Sequence, residues 1–139
     1  MQVFVSHCDP DHAFVGRLIS GLRAAGFQVW DQDDLVPGEN PNSARANALD
    51  SSELMVAVFT RESVKSQTVR QEVQYALTAG NYRGRVVPVL VGIPTYAAGD
   101  DVPWVLLRMD PIHLDDYASE LGTVISRVQE LAKTECNAP

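Results

Sequence analysis

Leu54-Met55-Val56-Ala57-Val58-Phe59 is an unbroken apolar run. A strand covered on one side alternates apolar with polar residues, whereas a run that is apolar on both faces suits a strand buried from both sides, as the centre of a parallel sheet is. The run therefore predicts helices above and below it. Outward from this centre, Val3 to Val5, Phe27 to Trp30, Val86 to Val91 and a brief segment near Pro111 to Leu114 read as further strands, with helix-length amphipathic stretches between them. Strand and helix alternate through five units, the pattern of an α/β fold with a parallel sheet and helices on both faces. Pro88 within the fourth strand removes a ladder donor and predicts a bulge or a locally exposed edge.

The helices carry their own start and stop signals. Asp9-Pro10 is a cap followed by a first-turn proline, and Phe14, Val15, Leu18, Ile19 and Leu22 then recur at helical spacing up to Gly26, which is placed for a left-handed ending. Asn40-Pro41 repeats the cap-plus-proline signal for a short helix to about Asp50. Ser66 caps a third helix whose Val69, Val73, Ala76 and Leu77 form one stripe ending at Gly80. Asp115 or Asp116 caps the last, with Leu121, Val124, Ile125, Val128 and Leu131 facing inward, and Thr134 to Pro139 reads as a tail or the start of a linker. Between the second strand and the second helix, Asp31 to Asn40 exceeds the about two to six residues usual for such a connection. Its length points to binding or assembly.

Composition sets the bounds. The chain has 139 residues, 45% hydrophobic and 21% charged, with Gly 9 and Pro 8, which predicts one ordered domain and excludes a low-complexity polymer. Eleven Lys and Arg against eighteen Asp and Glu give a net charge of −7, a field that repels nucleic acid and anionic lipid. Two cysteines, Cys8 and Cys136, allow no disulfide framework and fit a reducing, cytoplasmic setting. The longest apolar runs fall far below the ~20 residues that span a bilayer, so no membrane partner is expected.

Taken in order and spacing, Val3-Phe4-Val5-Ser6-His7, Val29-Trp30-Asp31 followed by Leu35-Val36-Pro37-Gly38, and Ser66 to Glu72 resemble the Toll/interleukin-1 receptor (TIR) domain, bacterial type, over about Val3 to Leu131. The resemblance implies a domain over residues 1–133 and a flavodoxin-like fold with strand order 2-1-3-4-5. In such sheets ligands bind beyond the carboxyl ends of the strands where the order reverses, here between strands one and three. The family's members look like either assembly modules or enzymes that break the nicotinamide-ribose bond of NAD, and the NAD-cleaving branch relies on a glutamate in the third helix. By spacing that residue is Glu72, the catalytic candidate. It lies six residues past Ser66, about 9 Å along the axis, and helical side chains lean back toward the N-terminus. On the helical wheel it flanks the Val69, Val73, Ala76 stripe, a half-buried edge, although a glutamate so placed reads by itself as a solvated charge.

The same resemblance makes Ser6, His7, Cys8, Asp9, Trp30 and Thr68 candidates for substrate binding, and Asp34, Leu35, Pro37 and Gly38 candidates for an assembly loop. NAD-cleaving relatives commonly carry Trp-Cys four and three residues before the glutamate; here Thr68 and Val69 stand there. Trp30 reads equally as packing or as a cover for a bound ring. His7, Cys8 and His12 can be drawn as a metal site, but Asp9 as a cap and Asp11 and His12 as first-turn residues explain that cluster more simply, so no metal and no cofactor other than NAD as substrate are expected. The start of helix one offers free N–H groups to a pyrophosphate, against the opposing charge of Asp9 and Asp11.

Three functional readings stand. The first is an NAD nucleosidase giving ADP-ribose or a cyclic variant, active when clustered, as the effector part of a defence or signalling protein whose sensor lies elsewhere. The second is a non-catalytic module that self-associates through Asp31 to Asn40. The third is an enzyme like the nucleoside deoxyribosyltransferases, which also attack a glycosidic carbon with a glutamate. A phosphate receiver is excluded, because strands one and three end in Val5-Ser6-His7 and Phe59-Thr60-Arg61 with no acidic pocket. No Walker loop or G-x-G-x-x-G occurs.

Overall fold

Alternation along each strand sorts the side chains of the sheet into two cores. In the computed structural model, which describes residues 2–7, 12–30, 37–60, 67–80, 82, 85–92, 108, 111–114 and 121–136, the elements run β1 (Gln2–Ser6), α1 (His12–Ala24), β2 (Gln28–Val29), α2 (Pro41–Ser51), β3 (Leu54–Phe59), α3 (Gln67–Thr78), β4 (Val86–Val91), β5 (Ile112–Leu114) and α4 (Gly122–Cys136). The sheet is parallel throughout, in the order β2-β1-β3-β4-β5. Leu54, Val56 and Val58 of β3 join Val3 and Val5 of β1 in the core under α1 and α4; Met55, Ala57 and Phe59 join Phe4 in the core under α3. All six side chains of β3 are out of contact with solvent. At about 1.5–3 kcal/mol for each large apolar side chain buried, this strand anchors everything built at its carboxyl end.

Two of the helix signals, the stop at Gly26 and the cap at Asn40, act as read. Gly26 ends α1 at φ +97°, with its N–H bonded to the Arg23 carbonyl and the Phe27 N–H to the Leu22 carbonyl, the paired contacts of a left-handed helix ending. Asn40 caps α2, its Oδ1 accepting from the N–H groups of Asn42 (2.9 Å) and Ser43 (3.3 Å). The Asp9, Ser66, Asp115 and Asp116 caps lie outside the described residues.

Three expectations are corrected. β2 is confined to Gln28–Val29, the two residues that pair with β1, opposite Gln2 and Val3. No bulge forms at Pro88: β4 pairs with β3 in unbroken register from Val86 to Leu90, Pro88 opposite Ala57, and every β4 residue is buried. Pairing with β5 begins only at Val89, so the missing N–H falls where the ladder has a partner on one side. The last helix continues to Cys136 through residues read as tail, since no glycine or proline interrupts Thr134 to Ala138.

Helix α2 is attached differently from the others. Its sequence, PNSARANALDS, buries only Ala48, with Leu49 partly packed. Polar ties hold it to the α3 side. Asp50 accepts the Tyr75 hydroxyl (2.6 Å), the Leu49 carbonyl accepts the hydroxyl of fully buried Tyr82 (2.7 Å), and Arg45 reaches Glu72. The Tyr75 and Tyr82 rings meet edge to face at 6.3 Å.

Candidate active site

Ser6 closes β1 and, two residues after Phe4, shares its face of the sheet. It pairs with Ala57 in β3 and is fully buried, so its hydroxyl emerges at the carboxyl end of the sheet between β1 and β3, where the strand order reverses. Glu72 meets it there from α3. Val69, Val73 and Ala76 seat that helix on the sheet, and Glu72, adjacent to Val73, is carried inward with them.

Ser6 Oγ donates to Glu72 Oε1 at 2.9 Å. Arg45 of α2 completes the cluster side-on, Nε donating to Oε2 at 2.5 Å and Nη2 to Oε1 at 2.8 Å. This planar two-point pairing is the strong form of an arginine-carboxylate contact. All three contacts use Glu72 as an acceptor, the role of an ionised carboxylate. The residue is 5% exposed, deeper than the half-buried edge its place on the helical wheel predicts, because α2 lays Arg45 over it.

The structure thus joins Ser6 and Glu72, two of the predicted residues, and adds Arg45, which sequence reasoning missed. A signal for it exists. Arg45 precedes Ala48 and Leu49 by three and four residues, so it shares the inward side of α2.

The remaining candidates are distributed around this cluster. His7 follows Ser6, half-buried, its Nδ1 donating to the Val5 carbonyl at 3.2 Å. Trp30, also half-buried, stacks on Phe4 with ring centroids 6.0 Å apart and planes 3° from parallel, so one face of the indole is a packing surface. Thr68 is exposed one helical turn before Glu72. Pro37 and Gly38 form an exposed turn, with Gly38 at φ +93°. Cys8, Asp9, Asp34 and Leu35 lie outside the described residues, as do Asp11 and the side chain of His12, and with them the drawn metal cluster and most of the acidic loop.

What this cluster can do follows from its charges. A buried carboxylate at the mouth of the sheet can stabilise positive charge developing on a bound molecule, or accept hydrogen bonds from a vicinal diol. Charge at this depth acts more strongly than in water. No helix of the described residues is long and apolar enough to cross a membrane.

Comparison with known proteins gives this geometry relatives. The chain is 29% identical over 91 residues to a protein named probable 2′ cyclic ADP-D-ribose synthase TcpO of Methanobrevibacter olleyae, covering 64% of this chain and 27% of that protein. It is 25% identical over 133 residues to the stimulator of interferon genes protein of Magallana gigas, covering 93% of this chain and 31% of that one. The chain spans less than a third of the length of either relative. Among solved structures, a metazoan TIR-STING receptor from C. gigas in complex with 2′,3′-cGAMP matches with a TM-score of 0.67 at 24% identity, over 91% of this chain and 38% of that one. The TIR domains of the activated Roq1 resistosome recognising the effector XopQ match at 0.60 and 22%, over 99% and 84%. At these identities the structures share a fold. The family model of the TIR domain itself matches residues 3–122, so this chain belongs to the TIR domain family.

Proposed function

We propose that this domain cleaves the nicotinamide-ribose bond of NAD, with Glu72 as the essential carboxylate. The observation that carries the reading is a carboxylate buried at the carboxyl end of β1 and bonded to Ser6, at the reversal of strand order where such sheets bind ligands. The relative named as a cyclic ADP-ribose synthase supports it, since that product is what remains of NAD when nicotinamide departs and an internal nucleophile takes its place.

The chemistry asks for little acid assistance. As the C1′–N bond breaks, its electron pair goes to the pyridine nitrogen and nicotinamide leaves neutral, while positive charge develops on the ribose. Glu72 stabilises that charge directly or by accepting the ribose hydroxyls. Water then adds at C1′ and loses a proton, giving ADP-ribose, or a nucleophile of the same molecule does so and gives the cyclic product. The test is nicotinamide release from NAD by the chain, free and fused to an oligomerising scaffold, followed by chromatography. Release on clustering is expected; inertness in both forms, or exchange of deoxyribose between free bases, overturns the reading.

The exposed turn at Pro37 and Gly38 supports a second, compatible role, self-association through this loop. Gly38 occupies a left-handed conformation that a β-branched residue adopts at a cost of about 1–2 kcal/mol. Gly38→Val is therefore expected to weaken self-association severalfold by light scattering while far-UV dichroism is unchanged. Unaltered association would remove the loop from the interface.

A further inference from the structure

An ionised carboxylate offers about four lone-pair directions, two on each oxygen. In Glu72 both directions of Oε1 are taken, by Ser6 Oγ and Arg45 Nη2, and one of Oε2 by Arg45 Nε. One direction remains, on Oε2. The donors that fill the others are held in place. Ser6 is fully buried where β1 pairs with β3, and Arg45 reaches the carboxylate from a helix tied down through Asp50 to Tyr75 and through the Leu49 carbonyl to fully buried Tyr82. Arg45 also makes a further interaction besides those with Glu72. Withdrawing it would leave a buried carboxylate without its cation, which is strongly destabilising.

A vicinal diol held through both carboxylate oxygens needs an open direction on each, and Oε1 has none. Resting on the reading of Glu72 as the carboxylate that meets the ribose, we propose that Arg45 is a positioning residue of the site: it stays side-on to Glu72 while substrate is bound and leaves only Oε2 open, so the carboxylate takes a single ribose hydroxyl instead of the pair. Contact through that hydroxyl matters because Arg45 offsets the charge of Glu72, and an offset charge acts weakly at a distance. A hydroxyl that donates to Oε2 becomes richer in electrons and passes that density to the sugar as positive charge develops at C1′. The side-on pairing also fixes the plane of the carboxylate, and so the direction along which Oε2 accepts. The site thereby distinguishes the two hydroxyls of one sugar.

The hydroxyls of the nicotinamide ribose can be removed one at a time. Nicotinamide release is measured on the clustered chain with NAD and with its 2′-deoxy and 3′-deoxy analogues in that ribose. Each rate is divided by the spontaneous rate for the same compound, because a missing hydroxyl changes the lability of the bond by induction. One analogue should lose about tenfold or more in kcat/KM, the scale of a hydrogen bond to a charged group, and the other should stay within about twofold of NAD. Arg45→Lys keeps the charge but, as a point donor, cannot hold both oxygens side-on. Its kcat should fall about tenfold with KM within about twofold, and the two analogues should draw within about threefold of each other, a convergence that a merely structural role would not produce. Equal losses with both analogues, or no loss with either, overturn the single contact; this comparison uses the wild-type chain and stands whether or not the variant folds. Wild-type kcat in Arg45→Lys, or an undiminished preference between the analogues, overturns Arg45 as the residue that sets it. Failure to release nicotinamide from NAD itself overturns the proposal together with the NAD reading on which it rests.

Discussion

Glu72→Gln is expected to lower nicotinamide release from NAD by at least about a hundredfold, the scale on which a group aimed at developing charge contributes. The substitution keeps the shape of the side chain and removes its charge. Its amide oxygen can still accept from Ser6 Oγ, but the amide nitrogen would present hydrogens to the N–H groups of Arg45. Arg45, 26% exposed, can turn its guanidinium to water, so the folded state should lose only about 1–2 kcal/mol by urea denaturation. The two measurements separate chemistry from folding. A collapse of turnover with a nearly unchanged unfolding midpoint is the signature of a carboxylate acting on substrate; more than a tenth of wild-type turnover in a clustered Glu72→Gln chain would exclude that role. Ser6→Ala should be milder, because the Ser6 hydroxyl supports one oxygen of Glu72 without bearing charge.

How far the residues announced this arrangement differs from element to element. The sheet was legible because parallel strands buried on both faces leave uninterrupted apolar runs, and β3 and β4 coincide with theirs. The stop at Gly26 and the cap at Asn40 were legible because each satisfies backbone groups within a few residues. Glu72 was legible in position, from its distance to Ser66 together with the family resemblance, but not in environment. Its burial depends on Arg45, 27 residues away on a helix with little hydrophobic patterning of its own. Periodicity reports which side of a helix faces an apolar core, and α2 is fastened by polar ties that leave no period. Pro88 misled for a related reason: its effect depends on whether a neighbouring strand reaches that register, and β5 begins one residue later.

Tyr82, for which no pattern gave a signal, is where the largest loss of stability is expected. Its ring is fully buried beneath α2, and its hydroxyl donates to the Leu49 carbonyl at 2.7 Å. Tyr82→Ala should cost about 3–5 kcal/mol by creating a cavity between α2 and the sheet, whereas Tyr82→Phe should cost about 1–3 kcal/mol by leaving that carbonyl without its donor. Burial also pushes the phenol's pKa far above its ordinary value of 10, with the nearby Glu72 charge contributing in the same direction. In the folded chain Tyr82 therefore holds its proton at pH values where the unfolded chain has released it. The stabilisation is complete below pH 10 and is lost progressively above it, because there the unfolded state binds fewer protons. Urea midpoints measured between pH 8 and 11 should fall above pH 10, and Tyr82→Phe should flatten that fall by up to about 1.4 kcal/mol per pH unit, the most one titrating group can supply. Identical slopes for the two chains would mean that Tyr82 ionises inside the folded protein, and would remove the buried phenol as the tie that keeps α2, and Arg45 with it, over Glu72.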